Sequence, residues 1–591
     1  ASGEPGSSTF GVPVQLATGA RQEHLLYGQA WILRSRFRVT LVSAGAEVAA
    51  IDVPVRGNSD DDRPFGVFLV AERPERLVDD VRRWAATRVG RTARVVVVAP
   101  GDLPPRVEAW ATVDRLVWQD EPFQELSIEQ LDALRTWIGL GGHLTILGGS
   151  TGTTTFGSFP ESLLPYRPER VVDAAETAIE GLLDAAPDAA PPGATAAPAV
   201  AGRYLRGTVL ARSGSDVIAG RMTYGLGSVT LVGVDPAISR LAGTADAVRL
   251  WAGLIPSSRS DARTRPIATY RSVRRAVTTL PSVSAPRIDQ LFALFAGYVV
   301  LLGPANYLVL RRLDRREWAW FTVPALVAAF TAAAFVLGIV LKGTSTVINE
   351  VAIVRGAAGT DRGVADVSVG IYTPTRSSLD VRLGSGALVS EALATRHRRD
   401  EPVDQPLEVM LGDPAGLRGL QVGHGGVRAF RAQASVAVPR IDARLRLVDG
   451  RLLGTLTNAS DVALEHVSVV YGRAAVVVGD LAPEATADVD LGPRDRVAGR
   501  RAFAERLSGR GSSDSVTAWT LMTRFAVTRS LLRWSDWDEG MPAFDRPDHP
   551  VVVLAWRSAG PLEVDVEAEA KRIGETVYVL PARVTPDGMA P

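Results

Sequence analysis

The side chains best placed to do chemistry are hydroxyls and carboxylates that follow apolar, strand-like runs. Ser150 comes just after HLTIL (143–147), with Thr151 and Thr153 close behind. Ligands of open α/β sheets bind beyond the carboxyl ends of the strands. A hydroxyl there becomes a nucleophile when a histidine reaches it. His143 opens the same run, so it lies at the opposite end and is too far away to be that base. A polar loop is the plainer reading of GGSTGTTTFG. Asp102 in APGD and Asp235 in GVDP follow two other apolar runs. At one crevice the two carboxylates would hold a cation or share the roles of acid and base. Aspartate in such turns also caps a helix or forms an Asx-turn. The glycine runs lack the spacing of a phosphate-binding loop or a dinucleotide fingerprint, although GGSTGTTTFG offers backbone N–H groups to an anion.

Composition removes other chemistries. The chain has 591 residues and no cysteine, so disulfides, thiolate metal sites and cysteine nucleophiles are excluded. The six histidines (His24, His143, His397, His424, His466 and His549) form no i,i+2 or i,i+4 pair and no HExxH. No cofactor and no metal is expected. Formal net charge is zero, so no nucleic-acid partner is expected. Only Lys342 and Lys571 of the 65 basic residues are lysines, a bias that fits a GC-rich bacterial genome. The small residue at position 1 is compatible with a removed signal peptide.

Two uncharged apolar runs, 291–310 and 319–341, each reach the roughly 20 residues that a bilayer core requires of a helix. They predict a transmembrane hairpin over 289–342, with Trp318 and Trp320 at the interface. Arg311, Arg312, Arg315 and Arg316 crowd the loop between them and predict that it faces the cytoplasm. Arg271, Arg274, Arg275 and Arg287 would then lie outside, against the rule. Within the first run, Pro304 removes a backbone donor and predicts a kink. Asn306 is costly in lipid without a partner. Gly303 and Ala305 permit close helix approach, with Tyr307 beside them. These residues predict a helix–helix seam or a dock for another membrane protein.

The expected architecture is multidomain, α/β plus all-β. Strand signals such as FRVTLVSAG and EVAAIDVPVRG predict an N-terminal β-sandwich over 1–88. An α/β domain follows over 89–256. RVVVVA (94–99) reads as a fully buried strand of a parallel sheet. SIEQLDALRTWIGL (127–140) reads as an amphipathic helix with a Ser127/Gln130 capping box and a stop at Gly141 and Gly142. Strands straddle a turn at 225–227, and 184–198 reads as a Pro/Ala-rich linker. A juxtamembrane linker spans 257–288. Beyond the helices come a β-rich domain (343–445) and an immunoglobulin-like sandwich (446–591) with a helical insertion near 497–532.

LDALRTWIGLGGHLTILGG and GLGSVTLVGVDP make the α/β segment resemble the flavodoxin-like fold of class I glutamine amidotransferases. That resemblance implies a nucleophilic cysteine on a strand-to-helix elbow, which this chain lacks, and hence a pseudoenzyme or a domain that uses another chemistry. LLGPANYLVLRRLDRREWAWFTVPA resembles a group of uncharacterised multidomain membrane proteins of Gram-positive and related bacteria. It implies the whole layout without an activity.

The expected function is a non-catalytic scaffold or binding protein of the bacterial envelope. It would sit in the cytoplasmic membrane with both terminal domains outside. Its partners would be the lipid bilayer and a membrane or envelope protein. An extracytoplasmic hydrolase or amidase using the α/β crevice, and an accessory subunit of an ABC-type exporter, are the alternatives.

Overall fold

The computed structural model describes residues 9–27, 36–54, 65–89, 93–148, 152–174, 197–237, 245–255, 288–342, 345–384, 386–391, 407–412, 414–497, 499–509, 518–534 and 551–585, with isolated positions at 178, 182, 273, 276–278 and 280. Ser150, Thr151 and most of 184–198 lie outside the described residues.

Five parallel strands form the centre of the α/β body: Phe65–Ala71, Ala93–Val97, Arg115–Gln119, His143–Leu147 and Gly227–Val232. In space they run second, first, third, fourth, fifth. Helices Glu75–Trp84 and Ala245–Leu254 cover one face, where Val81, Trp84, Leu250 and Trp251 pack on Phe65, Leu69, Val117 and Val232. Helix Ile128–Gly139 covers the other, where Leu134, Trp137 and Ile138 pack on Leu116, Trp118, Ile146 and Leu231. A sheet buried on both faces needs continuous apolar strands, and RLVWQ is buried at every position. Asp216–Tyr224, Ala197–Tyr204 and Tyr166–Ala174 extend the sheet with antiparallel strands.

Two expectations change here. Phe65–Ala71 is a central strand of this sheet, so the α/β body begins well before residue 89. The 93–97 strand is therefore an edge strand, and Val97 is 48% exposed. Nor do the described residues before it form a closed sandwich. Thr9–Gly11 pairs with Glu408–Met410 of the C-terminal half, and Arg36–Ser43 with Ala46–Pro54 forms a separate two-stranded hairpin.

The C-terminal half is built on an eight-stranded sheet. Its centre is the parallel pairing of Thr346–Arg355 with Ala570–Ala582, from Thr346↔Ala570 to Arg355↔Val579. Arg362–Thr373 and Gly426–Ala437 flank it on one side, and Val551–Arg557 and Leu464–Tyr471 on the other. A five-stranded and a four-stranded sheet cover its inner face, and one continuous core runs from Ile348 to Ala582. The expected division at 445/446 thus falls inside one packed unit, because the C-terminal strand returns beside the first. Helices Arg500–Leu507 and Ala518–Trp534 cover part of the outer face, where Phe503, Leu507 and Val527 meet Val351, Trp556 and Val577.

The expected linker 257–288 has anchored points. Val273, Ala276 and Val277 are buried against that outer face. Asn349 Nδ2, fully buried, donates to the carbonyls of Ala276 (3.2 Å) and Val277 (2.9 Å).

The α/β body meets the sandwich through the amino ends of its strands. Arg583, one residue past the long C-terminal strand, donates to the carbonyls of Gly225 (3.0 Å), Leu226 (3.0 Å) and Gly227 (2.9 Å). Gly225 has φ +57°, and a Cβ there would stand 2.5 Å from the Gly139 carbonyl oxygen and 3.0 Å from Ala357 Cβ. Arg362 pairs with Asp132 at 2.9 Å. Charge-assisted hydrogen bonds contribute about 1.5–3 kcal/mol each. Arg583→Ala is therefore expected to loosen this junction, seen as faster hydrogen exchange around 225–227 and 357–362 with the two cores unchanged.

Candidate functional site

The carboxyl ends of the parallel strands form the natural crevice of the α/β body. Asp235, after the 227–232 strand, is engaged within its own turn. Its Oδ1 accepts from Ala237 N–H (2.9 Å) and from Gln119 Nε2 (2.9 Å), and Gln119 also donates to the Gly148 carbonyl (2.6 Å). This is the Asx-type role. Asp102 is exposed in the short turn Pro100–Asp102 after the edge strand. Gln130 secures that turn by donating to the carbonyls of Pro100, Gly101 and Leu103 at 2.8–3.2 Å. The same Gln130 completes the capping box, accepting from Ser127 N–H at 2.8 Å. Three strands separate those that precede Asp102 and Asp235. At about 4.8 Å per spacing their strand ends stand roughly 19 Å apart. The two carboxylates are not brought together as a pair.

Thr153 begins the short helix Thr153–Gly157, half-buried. His143 lies at the opposite end of its strand, as the sequence predicts, with Nδ1 2.7 Å from Ser228 Oγ. The rim between the first and third strands is acidic. Glu121 is raised from its usual value by burial first, then by Glu125, Glu72 and Asp120. Among the described residues no His/Asp/Glu group has a metal-holding arrangement.

Two helices are long and apolar enough to cross a membrane: Phe292–Arg312 and Arg316–Phe335. Their surfaces are almost wholly uncovered by the rest of the chain, with Phe292, Phe295, Phe321 and Phe335 each more than 60% exposed. Pro304 produces a π-helical turn, Leu301–Ala305, between helices Ile288–Val300 and Asn306–Arg312. A missing N–H is commonly absorbed this way. Gly303 and Tyr307 are exposed, and Asn306 is half-buried. Tyr298 packs against Phe330 across the pair in a tilted arrangement, 4.8 Å between ring centroids. Arg311, Arg312, Arg315 and Arg316 are all exposed, and Arg315 lies over the Trp318 ring.

One charged cluster was not legible in the sequence. Arg524, on helix Ala518–Trp534, is inserted between two carboxylates on the outer face of the eight-stranded sheet. Its Nε donates to Glu575 (3.0 Å), and its Nη2 donates to Glu465 and to Ser558 Oγ (3.3 Å). Ser558 Oγ lies 3.0 Å from Glu465 and 3.2 Å from Glu575. The guanidinium also sits over Trp556, 5.3 Å from the ring centroid. Nearby His466 holds the Arg506 carbonyl through Nε2 (2.9 Å), and burial lowers its pKa. The four residues span 111 positions without a motif. The available signals were an arginine within an apolar helix and a glutamate within an apolar strand.

Two carboxylates facing one guanidinium leave an excess negative charge, with Glu575 buried beside Arg524 and Glu465 partly open to solvent. Burial, opposed by Arg524, pushes Glu575 up to about 7 from 4.5. Arg524 and Glu575 are buried, whereas Glu465 and Ser558 lie at the solvent-facing edge of the cluster, which acts as a latch for the helix. Glu575 keeps in the folded state a proton that the unfolded chain has released. Its contribution to stability therefore falls as pH rises from about 4.5 to 7 and is level above that. Glu575→Gln should flatten that part of the profile. Arg524→Ala, which leaves the buried Glu575 without its cation, should cost about 3–5 kcal/mol. Hydrogen exchange across 518–534 should then accelerate about a hundredfold or more.

Residues 440–585 match the model of a family described as a domain of unknown function (DUF8725). No curated protein matches. Solved structures with some likeness include an exo-β-1,4-mannosidase from Opitutaceae bacterium strain TAV5, at 14% identity and TM-score 0.24. The match covers 33% of this chain, and this chain spans only 36% of that enzyme. The yeast δ-COP-I μ-homology domain is another, at 6% identity and TM-score 0.20, covering 40% of this chain and 97% of that domain. These similarities carry no functional argument, and none of them points to a glutamine amidotransferase.

Proposed function

We propose that this protein is a non-catalytic, membrane-anchored scaffold that recruits another protein through its N-terminal hairpin. The observation that carries this reading is the hairpin itself. Arg36–Ser43 and Ala46–Pro54 form a two-stranded sheet, and every residue of the second strand is exposed. Leu41, Ile51 and Val53 are 49%, 63% and 42% exposed. An isolated two-stranded hairpin is marginal in water. Apolar side chains and open edges on such an element suit packing or strand addition by a partner.

The remaining features agree with this role. The uncovered apolar helices suit a bilayer. The four arginines of their loop favour placing it in the cytoplasm, so that both large bodies stand outside a bacterial cytoplasmic membrane. The half-buried Asn306 beside exposed Tyr307 offers a polar contact for a second membrane protein, such as an exporter. The strand order 2-1-3-4-5 is that of flavodoxin-like sheets, which supports reading the α/β body as an amidotransferase-like pseudoenzyme. The separation of Asp102 from Asp235, and the structural use of Asp235, weigh against a hydrolase in this crevice.

A gentle-detergent pull-down from native membranes, with mass spectrometry, tests the scaffold reading. The native chain is expected to bring down a stoichiometric partner, and Ile51→Lys/Val53→Lys to lose it while staying in the membrane fraction. Isolation of the native chain without partners would overturn the proposal.

A further inference from the structure

Both apolar helices are tied to one end of the eight-stranded sheet. Helix Ala319–Lys342 ends four residues before strand Thr346–Arg355 begins. Four residues span at most about 14 Å. On the other side, Leu280 packs against Val347 and Tyr372, eight residues before the first helix starts at Ile288. Val347 and Tyr372 are cross-strand partners at that same end. If the helices span a bilayer, this end of the sheet stands at the headgroup level.

Three cations are exposed there, beside a histidine and two carboxylates. Lys571 and Arg572 open the strand beside Thr346–Arg355, in register with Val347 and Ile348. Both are exposed. Arg376 is exposed in the turn after Thr373, and His424 is exposed in the facing turn, next to the Thr373↔Gly426 pair. Of the acidic residues at this rim, Glu567 is 3.8 Å from Arg382, while Glu569 is exposed. The two lysines of the whole chain, Lys342 and Lys571, both fall at this junction. The long apolar stem of Lys571 lets its ammonium reach a phosphate while the stem stays in a less polar layer.

We infer that this end of the sheet is a binding surface for anionic lipid headgroups, with Arg376, Lys571 and Arg572 as its cations. Each cation would meet a lipid phosphate, and two chain tethers with three cations would hold the sandwich upright on the membrane. The inference rests on the anchoring part of the proposed function, not on the hairpin.

The full chain would be reconstituted into vesicles of phosphatidylglycerol and phosphatidylcholine in equal amounts. It would then be released gently, and its retained lipids counted by native mass spectrometry. The native chain should keep a severalfold excess of phosphatidylglycerol. Arg376→Gln/Lys571→Gln/Arg572→Gln should lose most of that excess, and Arg311→Gln/Arg312→Gln/Arg315→Gln/Arg316→Gln should retain it. Equal retention by the rim variant and the native chain would overturn the inference, as would loss of the excess in the loop variant alone. Alkaline extraction of the same vesicles separates the two readings. A chain released by alkali sinks the anchoring itself, whereas a chain that stays inserted without rim-dependent lipid sinks only the headgroup surface.

Discussion

The parallel pairing of Thr346–Arg355 with Ala570–Ala582 is the contact on which the rest of the structure depends. Parallel neighbours cannot be joined by a tight turn and need a long crossover. Here the crossover contains most of the C-terminal half. The pairing closes the eight-stranded sheet, so the flanking strands on both sides depend on it. Its two ends serve different neighbours. At one end the strands start beside the apolar helices. At the other they run into Ala357 and Arg583, which contact the α/β body.

Much of this was legible in the sequence where local pattern and burial coincide. HLTIL, the capping box at Ser127 and the turn at 225–227 appear as the sequence predicts, because each is specified within a few residues. The two apolar helices were legible for the same reason. What was not legible was set by distant partners. RVVVVA reads like a buried strand, but Phe65–Ala71 takes the inner place and leaves it at the edge. Thr9–Gly11 joins a sheet about 400 residues away in sequence, which no local pattern announces.

The candidate site divides similarly. An aspartate after a strand is compatible with catalysis and with an Asx-turn alike, and only the hydrogen bonds from Gln119 and Ala237 assign Asp235 to the second role. The Arg524 cluster shows the converse. Its members are unremarkable singly and become informative when burial brings two carboxylates to one guanidinium. Breaking such a contact by removing one partner costs far more than the contact itself contributes. The helix Ala518–Trp534 is thus held by a contact that tolerates little change.

The long strand pair also has a mechanical meaning. Ten paired residues along the two strands give a stiff beam of about 33 Å. The apolar helices join one end and the α/β body the other. A small tilt at the helices, for which the π-helical turn at Pro304 supplies a natural bending point, would become a larger sideways displacement of the crevice. The molecule is therefore built as a lever, in which an event at the helix pair is felt most strongly at the surface farthest from it.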